Sequence, residues 1–147
     1  MKYGIITPTF KDHFCYVEKY LESFDKFVVD KENVKIVFTI SKSELKEFNK
    51  IVKKYKKINY EILLFEDLLK KYGVNYSSEK LLAKYGKFTF QTMKKFYSML
   101  ESDCEKFLVL FSQMIDEAEK IHSNNQLHNI ICASYVRIIL SSLSEEC

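Results

Sequence analysis

The hydrophobic positions in the first two-thirds of the chain follow two alternating patterns. Four short runs rich in apolar and β-branched residues predict strands, and these are YGIITPTF, VKIVFTIS, NYEILLFE and EKFLVLFS. Between these runs, apolar residues recur at spacings of three and four, which predicts helices. The resulting β-α-β-α-β-α-loop-α-β order predicts an α/β fold with a mostly parallel sheet and helices on both faces.

The ends of the predicted helices carry capping residues. Asp12 is the candidate N-cap of the first helix, and either Ser41 or Ser43 caps the second. Gly73 can close the short third helix at its C′ position. Residues 74–86 are polar and irregular and predict a loop with at most one helical turn, before KFTFQTMKKFYSMLES forms the last helix.

The apolar stripes of these helices predict which side chains face the core. On the first helix they are Phe14, Val17, Tyr20, Leu21, Phe24 and Phe27, on the second Leu45, Phe48, Ile51, Val52 and Tyr55, and on the last Phe88, Phe90, Met93, Phe96, Tyr97 and Leu100. After Gln113 the pattern degrades, and residues 127–143 are apolar on nearly every side, so helix and strand cannot be distinguished there. We therefore expect an α/β domain over residues 1–113 and a divergent tail over 114–147.

Composition and charge narrow the class of protein. The chain has 147 residues, 47% of them hydrophobic, which fits one globular domain. A net charge of +3 with interleaved acids does not predict nucleic-acid binding. The four cysteines lack C-x-x-C spacing, so zinc and redox motifs are unsupported.

The chain shows neither a secretory signal nor an apolar stretch near the ~20 residues of a membrane span. We therefore expect a cytoplasmic protein. The apolar tail predicts oligomer formation, because it must either meet a partner surface or cover an open sheet edge.

Ligands in parallel sheets bind beyond the carboxyl ends of the strands. Thr7, Pro8, Thr9 and Phe10 follow the first strand and are candidate nucleotide contacts. Ser41 follows the second strand, where its alternative role is to cap the next helix. The sequence contains neither G-x-G-x-x-G nor a P-loop, which disfavours a Rossmann dinucleotide site.

Three polar residues spaced four apart form a second candidate. Lys87, Gln91 and Lys95 share one stripe of the last predicted helix and, with Lys94, could face a diphosphate. The preferred alternative is a solvated helix face, because lysine stripes are common. Lys87 opens the helix and is the best phosphate candidate of the set.

A family resemblance connects these candidates. The opening Ile-Ile-Thr-Pro-Thr-Phe, residues 5–10, resembles the first strand of nucleotide-sugar-dependent glycosyltransferases of the GT-A fold. Residues 85–110 resemble the region before the acidic motif in bacterial surface-polysaccharide glycosyltransferases. The resemblance implies a nucleoside diphosphate sugar as ligand, and a cytoplasmic location that includes the inner face of the membrane. It also implies a nucleotide pocket built by the ends of the first two strands.

The chain departs from this family where the metal site is expected. The family's acidic motif, which holds Mg²⁺ or Mn²⁺, would fall at residues 111–113, but Phe111 and Gln113 stand there. Asp116 and Glu117 lie further on, and a shift of five residues is roughly 16 Å of extended chain. The resemblance therefore implies an incomplete donor-binding half whose catalytic acids are lost, so enzymatic activity is uncertain. Truncation or a frame change near Leu110 would explain this loss.

A second interpretation comes from a different class of function. The chain would then be a non-catalytic α/β protein that binds a partner, or a gene fragment. The apolar tail favours this interpretation, because a partner surface would cover it.

Overall fold

The computed structural model describes residues 2–109, in which four strands form one sheet. They are β1 (Tyr3–Pro8), β2 (Val34–Ile40), β3 (Tyr60–Leu64) and β4 (Lys106–Val109). The strand order is β3-β2-β1-β4, and each neighbouring pair is parallel. The predicted α/β class and parallel sheet are confirmed. The expected boundary at residue 113, the tail and the positions Phe111 and Gln113 lie outside the described residues.

Helices cover both faces of the sheet. They are α1 (Phe14–Phe27), α2 (Leu45–Val52), α3 (Phe65–Lys71) and α4 (Ser78–Glu101), with 3-10 turns at Lys11–His13, Lys31–Asn33 and Lys42–Glu44. Phe38 of β2 packs with α1 and α2 in the main core, while its neighbour Thr39 bonds to Ser98 of α4. Because successive strand residues point to opposite faces, α1 and α2 lie on one side and α4 on the other.

The strand order reverses at β1. β2 and β3 lie on one side of β1, and β4 lies on the other, so that Ile5 is opposite both Ile36 and Leu108. In open parallel sheets such a reversal leaves a crevice outside the carboxyl ends of the two strands that flank it. The loop after β1 starts at the carboxyl edge of the sheet where this reversal occurs.

Two predictions about α1 are wrong. The helix begins at Phe14 with His13 as N-cap, because Asp12 is already part of the preceding 3-10 turn. Phe27 is 51% exposed, since the stripe that packs on the sheet ends at Phe24. The closure of α3 at Gly73 is confirmed: its φ is 73° and its N–H donates to the carbonyl of Lys70.

The region predicted as a loop is largely helical. α4 starts at Ser78, with the Ser77 side chain accepting a hydrogen bond from the Lys80 N–H, and it continues through a kink at Gly86. The predicted inner face of α4 is also wrong in part, because Phe88, Phe96 and Leu100 are exposed.

The buried side of α4 is instead formed by Phe90, Lys94 and Ser98, which are spaced four apart. This stripe is partly polar because it lies over Thr9 and Thr39. Within residues 2–109, no helix has the length and hydropathy needed to cross a bilayer.

Candidate functional site

The candidate site begins where β1 ends. Pro8 is the last residue of the strand and lies opposite Thr39. The Thr9 N–H donates to the Thr39 carbonyl at 3.1 Å, which extends the strand pairing by one residue and holds the loop against β2. Thr9 is 3% exposed, and its hydroxyl has no hydrogen-bond partner within the described part of the chain. A buried hydroxyl without a partner is costly, so a hydrogen bond to this atom would stabilise the loop.

A fully buried lysine supports this loop from α4. Lys94 Nζ donates to the Thr9 carbonyl at 3.1 Å, and Lys94 is 0% exposed. Its Nζ lies 5.0 Å from the Phe90 ring centroid and 5.9 Å from that of Phe65. Burial lowers the pKa of Lys94 to about 8, while the charges of Glu44 and Glu66 act in the opposite direction. The loop after β1 is therefore bonded to an amine whose pKa is lowered towards neutral pH.

Two carboxylates connect the loops at this edge of the sheet. Glu44 accepts hydrogen bonds from the Lys11 N–H at 2.8 Å and from the Ser41 N–H at 3.2 Å, so it ties the loop after β1 to the loop after β2. Glu66 accepts from the Lys42 N–H at 2.8 Å and from the Ser78 hydroxyl at 2.6 Å, which ties the second loop to α4. The backbone N–H groups of Lys11, Ser41 and Lys42 are thus already bonded to the chain's own carboxylates.

The predicted site residues differ in their burial and in their hydrogen bonds. Lys87 is exposed, and its Nζ lies 6.0 Å from the centroid of the Phe10 ring. Gln91 is half-buried, and its Oε1 has no hydrogen-bond partner among residues 2–109. Thr7 is half-buried and bonds to the Ile5 carbonyl at 3.4 Å. Ser41 lies at the same edge and forms a capping box with Glu44, so it is engaged in the role that competes with nucleotide contact.

The preferred interpretation of the lysine stripe as a solvated face is wrong for its lower half. Lys95 is 9% exposed, and burial lowers its pKa. Only Lys87 of the three has an exposed side chain, and it directly follows the kink at Gly86. The side chains of this stripe therefore become more buried along α4, from the exposed Lys87 to the buried Lys95.

Sequence reasoning missed three residues at this edge. Lys94 was predicted only as a companion of Lys87 and Lys95, and Glu44 and Glu66 were not predicted as site residues. The pattern Ser41-x-x-Glu44 was a signal for the capping box. The spacing of Lys94 gave no such signal, because Lys87, Gln91 and Lys95 have the same i, i+4, i+8 spacing. Glu66 gave no local signal, because its partners are distant in sequence.

Within residues 2–109, no three His, Cys, Asp or Glu side chains lie together in a way that could hold a metal ion. Phe111 and Gln113, where the resemblance puts the acidic motif, are not among the described residues. The described carboxylates nearest the site, Glu44 and Glu66, are engaged by backbone N–H groups and a hydroxyl.

No protein-family model, curated protein or solved structure matches this chain at a significant level. The class that the fold and the site define is accordingly an α/β protein with a parallel four-stranded sheet and helices on both faces. The resemblance to glycosyltransferases stays a prediction.

Proposed function

We propose that this chain binds a nucleoside diphosphate sugar at the carboxyl edge of β1, as the donor-binding part of a GT-A-type glycosyltransferase of polysaccharide biosynthesis. The observation that carries the proposal is the reversal of strand order at β1. Ligands of open parallel sheets bind outside the carboxyl ends of the strands at such a reversal, which here is the edge that carries the loop of Thr9 and Phe10. The resemblance of residues 5–10 to the glycosyltransferase opening adds the ligand class.

The residues at the loop have side chains suited to such a ligand. The Thr9 hydroxyl lacks a partner within residues 2–109 and can bond to the nucleoside. The half-buried Phe10 ring offers an apolar surface to the base. Lys87, whose Nζ is 6.0 Å from that ring, supplies a point charge for the diphosphate. The ligand would lie on the β4 side of the loop, because Glu44 already holds the β2 side.

The proposal includes no metal-assisted step. Phe111 offers no ligand atom and Gln113 only a neutral amide, and the described residues do not supply three metal-binding side chains near the site. A cytoplasmic place of action, with contact to the inner face of the membrane, belongs to the same proposal because the family resemblance implies it.

Thermal unfolding with a panel of UDP-, GDP- and dTDP-sugars tests this function. A ligand at about 100 times its dissociation constant should stabilise the chain by about 2.7 kcal/mol. The stabilisation should be the same with and without Mn²⁺. Lys87→Ala should reduce it, whereas Lys46→Ala, at an exposed lysine of α2 on the opposite face, should leave it unchanged. The absence of a shift with every nucleotide sugar at millimolar concentration would contradict the proposal.

A second candidate function, partner binding, is favoured by the outer face of α4. Phe96 is 60% exposed and Leu100 is 67% exposed, and they lie one helical turn apart. Large exposed apolar residues that are neighbours on a helix are typical of an interaction surface. Solution mass from light scattering distinguishes the two functions: a complex that Phe96→Ser abolishes would support this candidate, and a monomer would count against self-association.

A further inference from the structure

The buried ammonium of Lys94 fixes the backbone of the candidate nucleotide loop. The loop is held at two points of one residue, because the Thr9 N–H donates to Thr39 and the Thr9 carbonyl accepts from Lys94. Phe10 follows directly, so these two bonds fix the backbone from which its ring extends, and the ring itself packs on His13 with 4.0 Å between the ring centroids. A lysine with 0% exposure whose Nζ bonds to a loop carbonyl has a positional role beyond filling space.

The charges around Lys94 come from several elements. Glu44 in the 3-10 turn before α2 and Glu66 in α3 both favour its charged form. Lys95 lies next to it on α4, and the Phe65 and Phe90 ring centroids lie 5.9 Å and 5.0 Å from its Nζ. Both carboxylates also bind backbone N–H groups of the loops, so the cation and the loops belong to one network.

We propose that Lys94 is a positioning residue, which ties the Thr9–Phe10 loop to α4 and takes up a proton when an anionic ligand binds on that loop. The first half needs only the geometry of the free protein. The second half rests on the proposed function, because it requires an anion at the loop. An anion close to a buried amine favours the ammonium form, so binding and protonation must be coupled.

Amide hydrogen exchange in the ligand-free protein tests the positional half. The probes are the amides of Thr9 and Lys11, which donate to Thr39 and Glu44, with amides of β2 as the reference. Lys94→Met keeps a long apolar side chain but removes the donor, and it should lower the protection of these two amides by about tenfold or more relative to β2. Leu81→Ala, which truncates a buried side chain of α4 in the separate apolar cluster with Leu69, should leave this ratio unchanged. Equal protection in Lys94→Met and the natural chain would overturn the positional role.

Calorimetry at pH 8 in buffers of different ionisation enthalpy tests the coupling, with the best-binding nucleotide sugar of the thermal panel as the probe. The natural chain should take up to about half a proton on binding, because about half of the Lys94 amines are neutral at a pKa of about 8. Lys94→Met should bind without this uptake, and equal uptake by both chains would overturn the coupling. If no nucleotide binds to the natural chain, the proposed function and the coupling fail together, and the exchange result alone decides the positional role.

Discussion

Lys94 is a cationic side chain with 0% exposure, and its titration therefore affects the stability of the whole fold. Burial lowers its pKa to about 8, from an ordinary value of 10.5 for lysine. Between these pH values the unfolded chain binds more protons than the folded one, so the free energy of unfolding rises with pH. Below about pH 8 both states are protonated, and the cost of the buried charge is present in full.

We predict that the natural chain gains stability relative to Lys94→Met as the pH rises from 8 to 10.5. The gain should be about 3 kcal/mol, which corresponds to the pKa difference at 1.36 kcal/mol per unit. Urea unfolding of both chains across this range measures it, and other titrating groups cancel because they are common to both. Stability curves that run parallel would show that Lys94 does not titrate in this range.

At the scale of the elements, the loops above the sheet are joined by carboxylates. Glu44 binds two backbone N–H groups, whereas Glu47 on the following turn makes an exposed ion pair with Lys11 at 3.1 Å. Buried or capping bonds to backbone N–H groups stabilise more than exposed ion pairs do.

Glu44→Gln should therefore lower the free energy of unfolding by about 1–2 kcal/mol, because an amide can accept one of the two bonds but directs its NH₂ group at the other donor. Glu47→Gln should change it by about 0.5 kcal/mol or less. Urea unfolding compares the two variants. Equal losses would mean that the link between the loops does not contribute to stability.

The elements differ in how far the sequence could predict them. The four strands and the sheet-facing side of α2 follow from hydrophobic periodicity, because Phe48 and Val52 are apolar and buried. The inner stripe of α4 could not be found this way, since it carries Lys94 and Ser98 while Phe96 faces outward. The strand pattern also made the position of Thr9 at a strand end predictable. It did not make the hydrogen bond between Thr9 and Lys94 predictable. That bond joins residues that are 85 positions apart.

At the scale of the whole molecule, the switch in strand order depends on how closely β4 approaches β1. Gly4 of β1 lies opposite Phe107 of β4. A Cβ atom at Gly4 would be 2.9 Å from Phe107 Cδ1 and 3.0 Å from Cys104 Cβ, closer than such atoms normally approach. Lys35 of β2 reinforces this junction through Asp103, just before β4, at 2.5 Å.

The pairing of β1 with β4 therefore leaves no room for a methyl group at Gly4. We predict that Gly4→Ala lowers the free energy of unfolding by about 1–3 kcal/mol, because the backbone of β1 or the chain from Cys104 to Phe107 must shift. In a Phe107→Ala background the same change should cost less, since one of the two clashes is removed. Urea unfolding of the four chains measures both effects. A loss that is equal in the two backgrounds would assign the strain to Cys104 alone. No loss at all would mean that β4 and the chain before it can move away from β1 without a cost in stability.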